Sequence, residues 1–254
     1  MTAMAARVVE RNVMRNRKYW YAVVAGAAEP FLFLFSVGVG VGALIAPLAG
    51  PGGELVEYRA FVAPGMLAAA TMNTAIFDAS IFFFVKVKYL NVYDTMLASP
   101  LSPRDIVRGE LVFSTAKIGF YATCFVVTMW VLGLLRTPWA VLLVPTAVLI
   151  GVAFATVGMW AATAMRSWVD FELVFVATIP MFLFSATFFP LSRYPEGVQW
   201  LVRLTPLYHG ADLLRRLALG GVGWGQLVSA AYLGAIALIG LRMAERRVEA
   251  LLRP

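Results

Sequence analysis

The chain has 254 residues, 61% of them hydrophobic and 14% charged, and a net charge of +7. Ordinary soluble domains carry about 25% charged residues, so this composition excludes a water-soluble fold. The single cysteine, Cys124, excludes an internal disulfide framework.

Six apolar stretches, at 20–46, 60–84, 109–135, 139–163, 170–190 and 224–243, are separated by polar segments. A helix that crosses a bilayer needs about 20 mostly apolar residues. Inside lipid the backbone must satisfy itself, so the stretches are predicted to be helices. The expected fold is an all-α polytopic membrane protein with six transmembrane helices.

In chain order, residues 4–18 predict an amphipathic helix lying on the membrane surface. Arg7, Arg11, Arg15 and Lys18 share one face at 100° per residue, with Ala5, Ala6, Val9 and Val13 opposite. Tyr19, Trp20 and Tyr21 form an aromatic belt where the first span begins.

Between the second and third stretches, KVKYLNVYDTMLASPLSPRDIVRGE predicts a short helix at 92–99 that Pro100 ends. Met96 and Leu97 would sit at its tip, an apolar point in a charged loop that calls for a docking partner. Ser102-Pro103-Arg104-Asp105 reads as the N-cap and first turn of the third helix.

The segment 191–223 is too polar to span and too apolar for a free linker. Pro195 is expected to open a half-helix to about Leu204, and Pro206 a second to about Leu219. Trp200 and several leucines would lodge this hairpin, 195–219, in the outer leaflet with its arginines at headgroup level. Gly210 and Gly220–Gly221 would permit hinge motion.

Orientation follows from charge. With the N-terminus inside, 14 of the 21 Lys and Arg face the cytoplasm. Both termini are then expected inside a bacterial plasma membrane.

Ionisable residues inside spans are costly and mark something. Asp78, Glu29 and Lys117 lie at about 10, 14 and 15 Å from their cytoplasmic helix ends at 1.5 Å per residue. Their similar depth permits a cluster in which Lys117 pairs with one carboxylate; a proton relay is the alternative. Glu110 and Glu172 read as interfacial charges at helix starts. Small residues at helical spacing, Gly38 and Gly42, then Gly151, Ala155, Gly158 and Ala162, suit close helix contacts.

Catalytic patterns are missing. His209 is the only histidine, and neither HExxH nor GxxxxGK[ST] occurs. No metal site, cofactor or catalytic residue is expected in this chain, and the basic surplus is read as topology, with no nucleic-acid partner.

The order of motifs resembles a known family. Glu29-Pro30 precedes FLFLFSVGVGVG; YRAFVAPGMLAAATMNTAIFDAS opens the second span; YDTMLASPLSPRDIVRGE, FFPLSRYP and LTPLYHGADLLRRLALG follow. The chain resembles over its whole length the permease subunit of ABC-2 type exporters, in the branch of nodulation-factor and daunorubicin-type exporters. The resemblance implies a connecting helix at 4–18, a coupling helix at 92–99 with Asp94, Met96 and Leu97, and a re-entrant hairpin at 195–219 whose Pro195, Trp200, Pro206 and Gly210 are read as a gate, with a static plug as the alternative. It also implies two copies of a separate ATP-binding subunit, carrying ATP and Mg, and a second permease, with a homodimer expected and a heterodimer as the alternative. The substrate would be a lipophilic drug, a glycolipid or an oligosaccharide. The rival readings are an ion-coupled transporter using Glu29, Asp78 and Lys117, and a membrane enzyme acting on lipid head groups.

Overall fold

A computed structural model describes residues 3–18, 21, 25–26, 28, 32, 34–36, 40–42, 44–90, 93 and 101–252. About half of the 20–46 stretch, with Glu29 and Gly38, lies outside the described residues, as does all of 92–99 except Tyr93.

The described chain is almost wholly helical. It runs α1 (Ala3–Arg17), α2 (Tyr58–Lys88), α3 (Pro103–Val131), α4 (Pro138–Ala164), α5 (Phe171–Leu183), α6 (Glu196–Leu204), α7 (Pro206–Leu219) and α8 (Trp224–Leu252). A two-residue ribbon, β1 (Leu48–Ala49) antiparallel to β2 (Leu55–Val56), pairs Leu48 with Val56 just before α2. Among the described residues, four helices are long and apolar enough to cross a membrane: α2, α3, α4 and α8.

Local chemistry sets the ends of α3. Ser102 accepts a hydrogen bond from the Asp105 backbone N–H, and the Asp105 carboxylate accepts one from the Ser102 N–H, with Pro103 in the first turn. This capping box starts the helix six residues before the apolar stretch begins. Its far end closes at Gly133, whose φ of +69° only glycine adopts without strain. The helix therefore stops at Val131, short of the expected 135.

α4 is the central post, packing on α2, α3, α7 and α8. Its small-residue stripe is buried, and an added Cβ at Gly158 would sit 2.9 Å from the Ile76 carbonyl oxygen of α2. That approach is available only to a residue without a side chain. Toward lipid the molecule presents large apolar side chains such as Trp130, Leu173, Val176 and Trp224.

The stretch 170–190 departs from expectation. Only 13 residues, Phe171–Leu183, are helical, with Pro180 near the end. At 1.5 Å per residue that helix is about 20 Å long, well under a bilayer's hydrocarbon thickness of about 30 Å. The chain then bends through 184–189, and Ala186 takes a φ of +54°. Apolar composition predicted a helix here, but a buried arginine satisfies the backbone instead, as described below.

α2 also deviates internally. Asp78–Phe82 forms one π-helical turn, and Ser80 donates to the Ile76 carbonyl at 2.6 Å. Such wide turns inside an α-helix recur at functional positions.

Candidate functional site

Two polar centres stand inside this apolar body, one at each end of α2. The first joins α1, α2 and α3. Asn12 is 1% exposed and Lys86 3% exposed, so both must be satisfied internally. The Asn12 amide donates to Glu110 Oε2 at 3.0 Å and accepts from Lys86 Nζ at 3.3 Å. Lys86 also donates directly to Glu110, and Arg11 stands 4.0 Å from the same carboxylate. Tyr93 is buried with its ring 5.3 Å from Phe83. Burial first, and the negative charge of Glu110 next, hold the Tyr93 hydroxyl pKa well above the ordinary tyrosine value.

Glu110 is therefore a correction. Its place near a helix start reads as an interfacial charge, but α1 folds over it and Lys86 neutralises it. On α1, Val8 and Asn12 face the protein, and Val13 and Met14 are exposed. Arg7, Arg15 and Lys18 are exposed, and Arg11 lies at the edge of the packed face.

Deeper along α2, Asp78 and Lys117 form an ion pair, and Lys117 Nζ also sits 5.7 Å from the Phe82 ring and 5.6 Å from that of Tyr121. Glu29 lies outside the described residues. The two ion pairs flank one cavity of about 470 Å³, between the end of α1, the inner part of α2 and α3. Glu172 is exposed near the start of α5.

The second centre is Arg215 of α7, which is 4% exposed. Its Nε donates to the Phe61 carbonyl at 3.1 Å, and its Nη2 to those of Ala186 and Thr187 at 2.8 and 3.2 Å. The guanidinium lies 4.0 Å from the centroid of the Phe61 ring. Sequence reasoning placed the arginines of this segment at headgroup level, and Arg215 corrects that. A planar fork with five donors serves three backbone carbonyls where a helix has ended. At Gly65 an added Cβ would come within 3.1 Å of both Arg215 Nη2 and Thr187 Cα, so the clamp also needs a bare backbone there.

The hairpin consists of α6 and α7, parted at Thr205, whose hydroxyl caps α7. Pro195 caps α6, and Pro206 opens α7. The two helices differ sharply. α7 is a core element, with nine of its 14 residues buried. α6 leaves Trp200, Leu201 and Leu204 exposed, with Arg203 stacked 5.6 Å from the Trp200 ring. His209 ties the turn together, with Nδ1 3.0 Å from Ser229 and Nε2 2.9 Å from the Arg203 carbonyl. Gly210 lies within α7, where an added Cβ would come 2.9 Å from Ile150. Gly220 and Gly221, with φ of +120° and +81°, form the turn that ends α7.

Asp94, Met96 and Leu97 lie outside the described residues. Sequence reasoning missed Asn12, Lys86 and Arg215; the signal available for each was only a polar side chain in an otherwise apolar neighbourhood.

The chain is 31% identical over 218 residues to a protein described as nodulation protein J in Rhizobium leguminosarum bv. viciae, covering 84% of this chain and 81% of the relative. A nodulation protein J of Sinorhizobium fredii is 32% identical over 222 residues, covering 86% and 82%. One from Rhizobium meliloti is 30% identical over 219 residues, covering 84% and 80%. Residues 6–219, from α1 through α7, match the family model for the ABC-2 type transporter, and the chain belongs to that family of membrane transport components.

Proposed function

We propose that this chain is the permease subunit of an ATP-driven exporter in a bacterial plasma membrane. The family match over 6–219 carries this reading. The chain itself would hydrolyse nothing. Two copies of a separate ATP-binding subunit would supply ATP and Mg, and a second copy of the permease would complete the pathway. Both termini would lie in the cytoplasm, and the substrate would be a lipophilic drug, a glycolipid or an oligosaccharide-type molecule.

In this reading the segment 92–99, with Asp94, Met96 and Leu97, docks on the ATP-binding subunit. Tyr93 supports a mechanical link, because its buried ring sits against Phe83 and beside the Glu110–Lys86–Asn12 cluster. A push on the segment would reach α1, α2 and α3 together. At the outer end, the clamped α7 would form a fixed wall, and any gating would fall to α6 with its exposed Trp200 face.

Purified permease and its ATP-binding partner, reconstituted in liposomes, should move substrate only when ATP is supplied. Transport that runs on a proton or sodium gradient without the partner would favour the ion-coupled reading around Asp78 and Lys117. In the same preparation, Met96→Asp with Leu97→Asp should abolish co-purification of the partner, because charges would enter an apolar contact.

A further inference from the structure

The cavity beside the two ion pairs has a neighbour beyond Tyr121. A second cavity of about 480 Å³ lies next to it along the α2–α3 seam, and Tyr121 lines both. The first is edged by Arg15, Asn16, Lys86, Lys117 and two carboxylates. The second is mostly apolar, with Met66, Ala70, Ile118, Ala122, Phe125 and Phe182 on its wall and Asn73 and Thr74 between them. From Phe113 to Phe125 the seam runs about 18 Å at 1.5 Å per residue. The two cavities share Tyr121 on their walls, and the pair makes a trough with a charged lining on one side of that ring and an apolar lining on the other.

The charges at the polar end do not balance. Glu110 is held by Lys86 and Asp78 by Lys117. Arg15, on the rim, has no carboxylate within 4.0 Å among the described residues, and its charge acts on Lys86 as a like charge. An uncompensated cation at the edge of a low-dielectric cleft favours an anion there.

We infer that this trough, within a single protomer, binds a single-chain amphiphile with an anionic head group. The head sits among Arg15, Asn16 and Lys117, and the chain runs along the seam toward Phe125 and Phe182. The polar end is the cytoplasmic one in the orientation proposed above, so the amphiphile is taken from the inner leaflet. Its role as transport substrate rests on the exporter reading; the binding itself does not.

The test uses the permease alone, without partner or ATP, in discs of neutral lipid. The probe is hexadecyl phosphate carrying a photoreactive group on its chain, with labelled peptides mapped by mass spectrometry. Label should concentrate in 66–77 and 118–125. Unlabelled hexadecyl phosphate should compete at least tenfold better than hexadecyl maltoside, and inorganic phosphate should not compete. Arg15→Gln, on an exposed side chain, should weaken labelling about fivefold, in the range of a half-solvated ion pair, with an unchanged melting temperature. Ala70→Phe should block the chain without removing a charge.

Label spread evenly onto lipid-facing Leu173 and Val176 of α5 would overturn the proposal in favour of bulk lipid. Competition by inorganic phosphate would leave a free-anion site, and equal competition by the maltoside would remove the charge selectivity; either overturns it. Failure here leaves ATP-driven transport standing. Loss of ATP-driven transport with the trough still labelled would instead sink the exporter reading.

Discussion

Removing the ammonium of Lys117 while leaving the Asp78 carboxylate would strand a charge inside an apolar body. Breaking a fully buried pair costs about 3–5 kcal/mol; both partners here keep about a quarter of their exposure, so Lys117→Met should cost about 2–3 kcal/mol. Adding Asp78→Asn should recover most of that loss, read as the melting temperature in detergent. No recovery would mean that the pair does not hold the fold. Arg215→Lys should be worse than its conservative look suggests. An ammonium cannot reach three divergent carbonyls from one planar fork, and each carbonyl left bare costs about 1–3 kcal/mol. A loss of about 2–4 kcal/mol is expected, and a melting temperature within a degree of the parent would refute the clamp. Depth along a helix, countable in the sequence, brought Asp78 and Lys117 to one level. Arg215 could not be told from Arg216 in that way. Arg216 pairs with Asp212 four residues back, at 2.9 Å, and remains partly exposed, whereas Arg215 points into the protein. One step along a helix turns a side chain by 100°, and only the packing of α7 against α2 and α4 decides which arginine is swallowed.

At the scale of elements, the helix starts were the most legible feature, because capping is a local transaction. Ser102 and Asp105 lie three residues apart and satisfy each other's backbone wherever the helix is placed. The same locality made Pro195 and Pro206 informative. The early end of the helix in the fifth stretch, at Leu183, was not legible for the complementary reason: apolar composition measures affinity for lipid and says nothing of a distant arginine that can satisfy bent backbone. Contact between α2 and α4 is the element-level prediction. Gly158→Ala drives a methyl toward the Ile76 carbonyl, which is backbone and cannot rotate away. It should cost about 1–3 kcal/mol, as overpacking does, and be measurable as an earlier thermal transition. An unchanged transition would show that α2 and α4 have room to part.

The whole molecule is tested first by its orientation. In a Cys124→Ala background, cysteines placed at Glu54 and at Glu196 should react with an impermeant thiol reagent from outside intact cells, and one at Ala250 should react only after permeabilisation. The reverse pattern would invert the proposed direction of transport. The ion pairs Arg104–Glu249 and Arg108–Glu245 fasten the tail of α8 to the start of α3, so Ala250 should share a side with the capping box. By itself the sequence determined a membrane-embedded, almost all-helical protein, where most helices begin, and its family. These follow from hydropathy, capping and motif order, all written along the chain within a few turns. Tertiary structure alone decided that Glu110, Lys86 and Asn12 meet, that α7 is core while α6 is surface, that Arg215 replaces part of a helix, and that two cavities lie on either side of Tyr121. Each of these depends on which faces of separate helices come together. A bilayer favours burial of any apolar face almost equally, so the polar groups and the glycines choose the pairing, and they do so only in three dimensions.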